Sequence, residues 1–388
     1  MREYVLVLLI ALAATYLSAP MCRSLALRVG AVAMVRDRDV HARPVPYFGG
    51  VAMLIGVFVA FFCASHLPFL GRHSSVNSDS LAVLGAAAVI SIVGVVDDII
   101  DLPALAKAAG QVLAAGVAVL GGVTVLWIPL PGRLVSLDQG TGIAVTVVVI
   151  FICANAINFV DGLDGLAAGV VAIGSLAFAA YAYILTVEHD LVRATTASLV
   201  TVVAAGVCLG FLGHNFFPAR MFMGDAGAML LGVLLATSTI SLSGQLDPAS
   251  LTGTGGLLAA YLPIILPLAV LALPVLDLVL AYVRRTIAGT WWFRPDKKHL
   301  HHRLLQLGHS QTRAVLLMYL WTSLLSFGAI AIGFMDNNWW IIAVVVALAA
   351  ILVLLTMVPR RRAAVVPAAA RTAAVPVAPP PARSSELP

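Results

Sequence analysis

The sequence predicts an all-α polytopic integral membrane protein of about eleven transmembrane helices, with the N-terminus outside and the C-terminus cytoplasmic. Composition is the first reason. Hydrophobic residues make up 61% of the 388, charged residues only 11%, and mean hydropathy is +1.02, whereas ordinary globular chains are about 25% charged. A soluble body of this size could not cover itself with so few charges, and disorder is excluded for all but the tail. The second reason is segmentation. Eleven apolar stretches approach the roughly 20 residues that a bilayer core requires, with approximate limits 4–20, 50–70, 80–97, 104–128, 141–160, 165–186, 194–213, 226–244, 257–283, 314–335 and 339–358. The third is charge sorting. Placing the loops after odd-numbered spans in the cytoplasm puts 19 of the 23 Lys and Arg there, which sets the orientation by the positive-inside rule. The pI of 9.2 therefore reflects sidedness and gives no argument for nucleic acid.

The first span has no basic region beyond Arg2 and no Ala-x-Ala site ahead of a soluble domain, so it is expected to be a permanent helix rather than a cleaved leader. The loop after it runs from Arg36 through His41, Arg43, Pro44 and Pro46 to Gly49 and Gly50, which open the second span. Backbone amides at a glycine-rich helix start suit an anion. Residues 1–358 form the expected transmembrane domain, and 359–388, rich in Ala, Pro and Val, a disordered cytoplasmic tail. Cys22, Cys63, Cys153 and Cys208 lie far apart in apolar runs, without metal-ligand spacing, and read as small packing residues.

With sidedness set, the acids fall at one membrane face. Span three ends in Val95-Val96-Asp97-Asp98-Ile99-Ile100-Asp101. Three carboxylates in five residues beside hydrocarbon repel one another and call for a cation or a proton. A continuing helix would put Asp97 and Asp101 on one face. Span five ends in Asn155-Ala156-Ile157-Asn158-Phe159-Val160-Asp161-Gly162-Leu163-Asp164-Gly165, where two amides one turn apart are followed by paired Asp-Gly steps that let the backbone turn. The bland reading of the amides is bonding between neighbouring helices. A third group runs from His214 and Asn215 through Phe222 to Asp225, before span eight. A fourth contains Trp291, Trp292, Lys297, Lys298, His299, His301, His302 and Arg303. The histidines lack the further ligands of a usual zinc site and fit a cationic pocket for phosphate or pyrophosphate better. Carboxylates alone would repel an anionic substrate; with a divalent metal they organise phosphate oxygens. The sum is equipment for phosphoryl transfer at the cytoplasmic face, between a cytosolic and a bilayer substrate.

Taken in order, these motifs resemble the polyprenyl-phosphate N-acetylhexosamine-1-phosphate transferases, from about Met34 to Arg313. The resemblance implies a Mg²⁺-dependent enzyme, with Mn²⁺ as a substitute, in the bacterial cytoplasmic membrane. It would transfer a sugar 1-phosphate from a UDP-amino sugar to a polyprenyl phosphate and release UMP. It implies Asp225 as the main metal ligand with Asn158, and Asp97 and Asp98 as the catalytic pair acting on the lipid phosphate, with Asp101 grouped beside them. Lys107 would be a phosphate contact, with His41 and Arg43 in the same role. Asp161, Asp164, Asn215 and Phe222 would bind nucleotide, Phe222 by stacking on uracil. His299, His301, His302 and Arg303 would contact the donor pyrophosphate and sugar.

The fourth motif, His299-Leu300-His301-His302-Arg303-Leu304, lacks three adjacent histidines and is similar to the WecA-like branch, which uses UDP-N-acetylglucosamine. Expected partners are that donor and the polyprenyl phosphate, with no nucleic acid; a homodimer is left open, as is the choice between direct attack and an aspartyl intermediate. The alternatives are a muramyl-pentapeptide phosphotransferase of the same family and, from another class, a secondary transporter. Transporters place ionisable groups near the midplane, whereas here they gather at helix ends. A non-catalytic scaffold gives no reason for the clustered acids.

Overall fold

The computed structural model describes residues 1–33, 44–72, 74–130, 133–188, 194–245, 309–334 and 339–357, with a few isolated positions between 261 and 286. Ten α-helices follow one another among them: α1 (Arg2–Val29), α2 (Gly49–Ser65), α3 (Ser74–Ile100), α4 (Ala104–Leu120), α5 (Gln139–Val160), α6 (Leu166–Glu188), α7 (Ala194–Asn215), α8 (Gly224–Gln245), α9 (Gln311–Phe334) and α10 (Trp339–Met357). Eight are long and apolar enough to cross a membrane, while α2 and α4 are shorter apolar helices. These ten match ten of the eleven expected spans. The ninth, 257–283, and the tail lie outside the described residues, apart from isolated positions in the former.

Two local expectations are corrected. The fourth span does not run helically to 128: α4 stops at Leu120, where Gly121 and Gly122 follow and Gly122 takes φ +94°, a left-handed conformation that glycine adopts without a Cβ penalty. The chain then forms an antiparallel hairpin, β3 (Trp127–Leu130) with β4 (Arg133–Ser136), pairing Trp127 with Ser136. A smaller ladder, β1 (Val32–Ala33) with β2 (Val45–Pro46), precedes α2. The fold is thus mainly, not wholly, helical. α1 also runs nine residues past its expected end, through Pro20, to a left-handed Gly30 whose N–H bonds to Ala26 O.

α8 is the axis of the bundle, packed on α2, α3, α5 and α7. Without water, helices associate by close packing rather than by hydrophobic expulsion. Small residues provide the approach: a Cβ on Gly50 would run into the Gly227 backbone, and one on Gly94 into Ala226. Most of the hydroxyls buried in α7 and α8, among them Ser198, Thr201, Thr237 and Ser238, bond to carbonyls of their own helices, while Thr195 and Ser241 do not. Thr201 and Thr237 each donate at 2.8 Å to the carbonyl four residues back, Ala197 O and Val233 O.

Candidate active site

The ends of α3 and α5 and the starts of α4 and α8 converge at one end of the bundle. Lys107, in the first turn of α4, donates to Asp97 Oδ2 at 2.9 Å and also contacts Asp225 Oδ2. One ammonium therefore holds two carboxylates from separate helices. Asp97 is fixed further by Leu102 N, which donates to its Oδ1 at 2.7 Å.

Asp98 faces the start of α8. Its Oδ1 accepts from Asp225 N at 2.8 Å and its Oδ2 from Ala226 N at 3.4 Å. A carboxylate supplied by α3 thus satisfies orphan amides of another helix at its positive end. Gly224 makes room for it at φ +68°, and a Cβ there would run into the Asp98 carboxylate. The shared face expected for Asp97 and Asp101 does not form. The helix ends at Ile100, and Asp101 is exposed at φ +55° with its N–H bonded to Asp97 O.

The Asp-Gly turn after α5 is anchored from two sides. Asp164 is buried, and its Oδ2 accepts from Ala219 N at 2.9 Å. Asn215, also buried, accepts from Gly165 N at 2.9 Å and donates to Met221 O at 3.0 Å. Tyr319 of α9 donates to Gly165 O. Asn215 therefore spends both ends of its amide on backbone, fixing the 161–165 turn to the loop before α8. Asp161 is half-buried beside this turn. Burial, then the Asp225 and Asp164 carboxylates, push it up to about 7.

Phe222 lies on the same loop, with its ring 6.2 Å from that of Tyr47 and its N–H bonded to Pro46 O. Gly49 and Gly50 open α2 as expected, but their amides donate to Phe222 O and Met223 O. They bind the loop rather than an anion. Asn158 is half-buried near the end of α5. Asn155, one turn earlier, pairs with Gln111 of α4, as the bland reading of that amide expected. The role of Gln111 was not legible beforehand, since an isolated Gln in an apolar run carries no spacing signal. His41, Arg43, His299, His301, His302 and Arg303 lie outside the described residues.

The donor set suits a hard cation. Among the described residues no three His, Cys, Asp or Glu side chains meet as a ready-made metal cage. Mg²⁺ asks for less: one or two carboxylates, with substrate phosphates and waters completing its shell. Asp225, already sharing a cation with Asp97, meets that requirement.

The glycosyl transferase family 4 model matches residues 80–243, which contain Asp97, Asp98, Lys107, Asp161 and Asp225. A decaprenyl-phosphate N-acetylglucosaminephosphotransferase of Mycobacterium leprae is 47% identical over 87% of this chain and 85% of its own. That of Mycobacterium tuberculosis H37Rv is 47% identical over 85% and 82%. A phospho-N-acetylmuramoyl-pentapeptide-transferase of Desulforudis audaxviator is 32% identical over 74% and 83%. The likeness runs through the acid-bearing helix ends and is stronger to the N-acetylglucosamine enzymes than to the muramoyl one, and on that ground the chain belongs to glycosyl transferase family 4, among the polyprenyl-phosphate N-acetylhexosamine-1-phosphate transferases of the WecA-like branch.

Proposed function

We propose that this protein transfers N-acetylglucosamine 1-phosphate from UDP-N-acetylglucosamine to a polyprenyl phosphate, the first membrane step of a cell-envelope polysaccharide. The observation that carries the reading is the meeting of Asp97, Lys107 and Asp225 at one end of the bundle, in a chain whose nearly half-identical relatives bear that activity in their names. An oxygen of the lipid phosphate attacks the β-phosphorus of the donor. The bond from that phosphorus to the oxygen bridging to the α-phosphorus breaks, and UMP leaves with that oxygen. The product is a polyprenyl pyrophosphate carrying the sugar.

Asp225 and Asn158 would hold Mg²⁺, which when bound supplies positive charge to the phosphate oxygens. Lys107, released from one carboxylate as phosphate arrives, adds a point charge. Asp97 and Asp98 position the attacking phosphate or take its proton, Asp98 while keeping the start of α8 in place. Asp161 and Phe222 face the nucleotide. Asp164 and Asn215 shape the loop that presents Asp161 and Phe222 to it. His41, Arg43, His299, His301, His302 and Arg303 are assigned to phosphate and sugar by resemblance.

The same reading includes eleven spans, with the ninth within 257–283, the N-terminus outside, and the site at the cytoplasmic face of the inner membrane. The decisive experiment is UMP release by the purified protein in detergent, with UDP-N-acetylglucosamine, polyprenyl phosphate and Mg²⁺. Release that depends on the lipid acceptor is expected. No release, or release independent of acceptor, would overturn the assignment.

A further inference from the structure

One turn below the charged groups lies a second, neutral polar layer. Gln111 stands four residues after Lys107 on α4, Met229 four after Asp225 on α8, and Asn155 three before Asn158 on α5. At helical spacing each deeper residue shares a face with the one above it. Gln111 is buried. Its Nε2 donates to Asn155 Oδ1 at 3.4 Å and contacts Met229 Sδ at 3.2 Å; Asn155 Nδ2 returns a bond to Gln111 Oε1 at 2.8 Å and bonds Phe151 O. The amide pair is reciprocal and tied to one backbone carbonyl, so it is satisfied at one register of α4 on α5.

An apolar pair would be cheaper to bury and would tolerate sliding. The amides do not, because a shift leaves a buried donor or acceptor unpaired. α4 needs such a constraint. It packs closely on α3 and α5 but reaches α8 through the Lys107 and Gln111 side chains rather than through close backbone contact. We infer that Gln111 is a positioning residue: with Asn155 and Met229 it fixes the register of α4, so that Lys107 stands between Asp97 and Asp225. This rests on the proposed reaction for its kinetic consequence, but not for its geometry.

The test compares Gln111→Met, similar in length without the amide, with the exchange Gln111→Asn plus Asn155→Gln, which restores a pair across the same gap. Steady-state kinetics should show Gln111→Met lowering kcat about 10–100-fold, the scale of a misplacement near 1 Å, with donor KM and thermal midpoint little changed. The exchange should recover most of kcat. Independently of turnover, Lys107 should become several-fold more reactive to amine acylation, read by peptide mass spectrometry, in Gln111→Met but not in the exchange. Unchanged kcat or unchanged Lys107 reactivity in Gln111→Met would overturn the inference. So would a kcat loss that tracks a fall in thermal midpoint and is not recovered by the exchange. If the unaltered protein releases no UMP, the proposed reaction falls, and Lys107 reactivity alone still decides the register.

Discussion

α10 and α8 are built to opposite rules. α10 is the most apolar of the eight long helices, yet only 11% of its most apolar stretch is buried within the protein; α8 is the least apolar and is 89% buried. In a soluble fold that order would be reversed. In a bilayer the lipid is as apolar as leucine, so burial within the protein rewards small residues and internally satisfied hydroxyls. α8 has these: Gly227 against Gly50, and Ser238 bonded to Leu234 O at 2.6 Å. Among the described helices α10 packs closely only on α9, and it presents Leu354 and Val346 outward. Hydropathy therefore finds the spans without ranking their importance, while a carboxylate at a helix start and glycines below it mark the helix on which the site is built.

The largest effect expected is donor selection. The protein should use UDP-N-acetylglucosamine and reject UDP-muramyl-pentapeptide. A site that hydrogen-bonds a free 3-hydroxyl can discriminate by about 10⁴ or more, because its polar groups stay unpaired with the analogue. The ratio of kcat/KM for the two donors measures it. Efficient use of the peptide donor would remove the branch-level substrate assignment and leave the phosphotransferase assignment standing.

Next comes the metal. Exhaustive chelation should abolish turnover, and Mg²⁺ or Mn²⁺ should restore it. Asp225→Asn keeps the shape at the start of α8 but loses the charge, and should cost about 10²–10³ in rate while the protein still inserts. Full activity after chelation, or near wild-type turnover of Asp225→Asn at saturating Mg²⁺, would make α8 an ordinary core helix.

Asp98→Asn is expected to be milder, about 10–100-fold in kcat with a smaller change in donor KM, the signature of an interaction realised mainly in the transition state. The amide oxygen can still accept one α8 N–H, so the start of the helix should survive. A change confined to donor KM would move Asp98 to a binding role.

Much of this was legible in the sequence. Ten helices lie within a few residues of the expected spans at most ends, because hydropathy and segment length are local properties. Asp97, Asp98, Asp161 and Asp225 stood out because acids beside hydrocarbon are costly and need a reason, whereas Lys107 came only through the family resemblance. What the sequence hid depends on partners far along the chain. Nothing near Asn215 announces that its amide is spent on Gly165 and Met221, and nothing near Gly49 says that its N–H bonds to Phe222. Asp101 left the helical face through a single left-handed residue, which the i, i+4 rule cannot anticipate.

The smallest pair of effects tests the opening contrast most directly. Leu234 of α8 is fully buried and Leu354 of α10 is 65% exposed. The side chains are identical, so the unfolded states change alike and the difference reports the surroundings. Leu234→Ala opens a cavity among α8's neighbours, which cannot all collapse onto it, and should cost about 2–5 kcal/mol. Leu354→Ala exchanges a lipid contact for a slightly smaller one, and should stay within about 0.5 kcal/mol. Thermal midpoints of both variants in one detergent give the comparison, with UMP release as a check that the Leu234 site sits far enough from Asp225 to leave chemistry largely intact. Equal losses at the two positions would mean that α10 is covered by protein in the intact assembly, and that its apolar outer face is an interface rather than a lipid boundary.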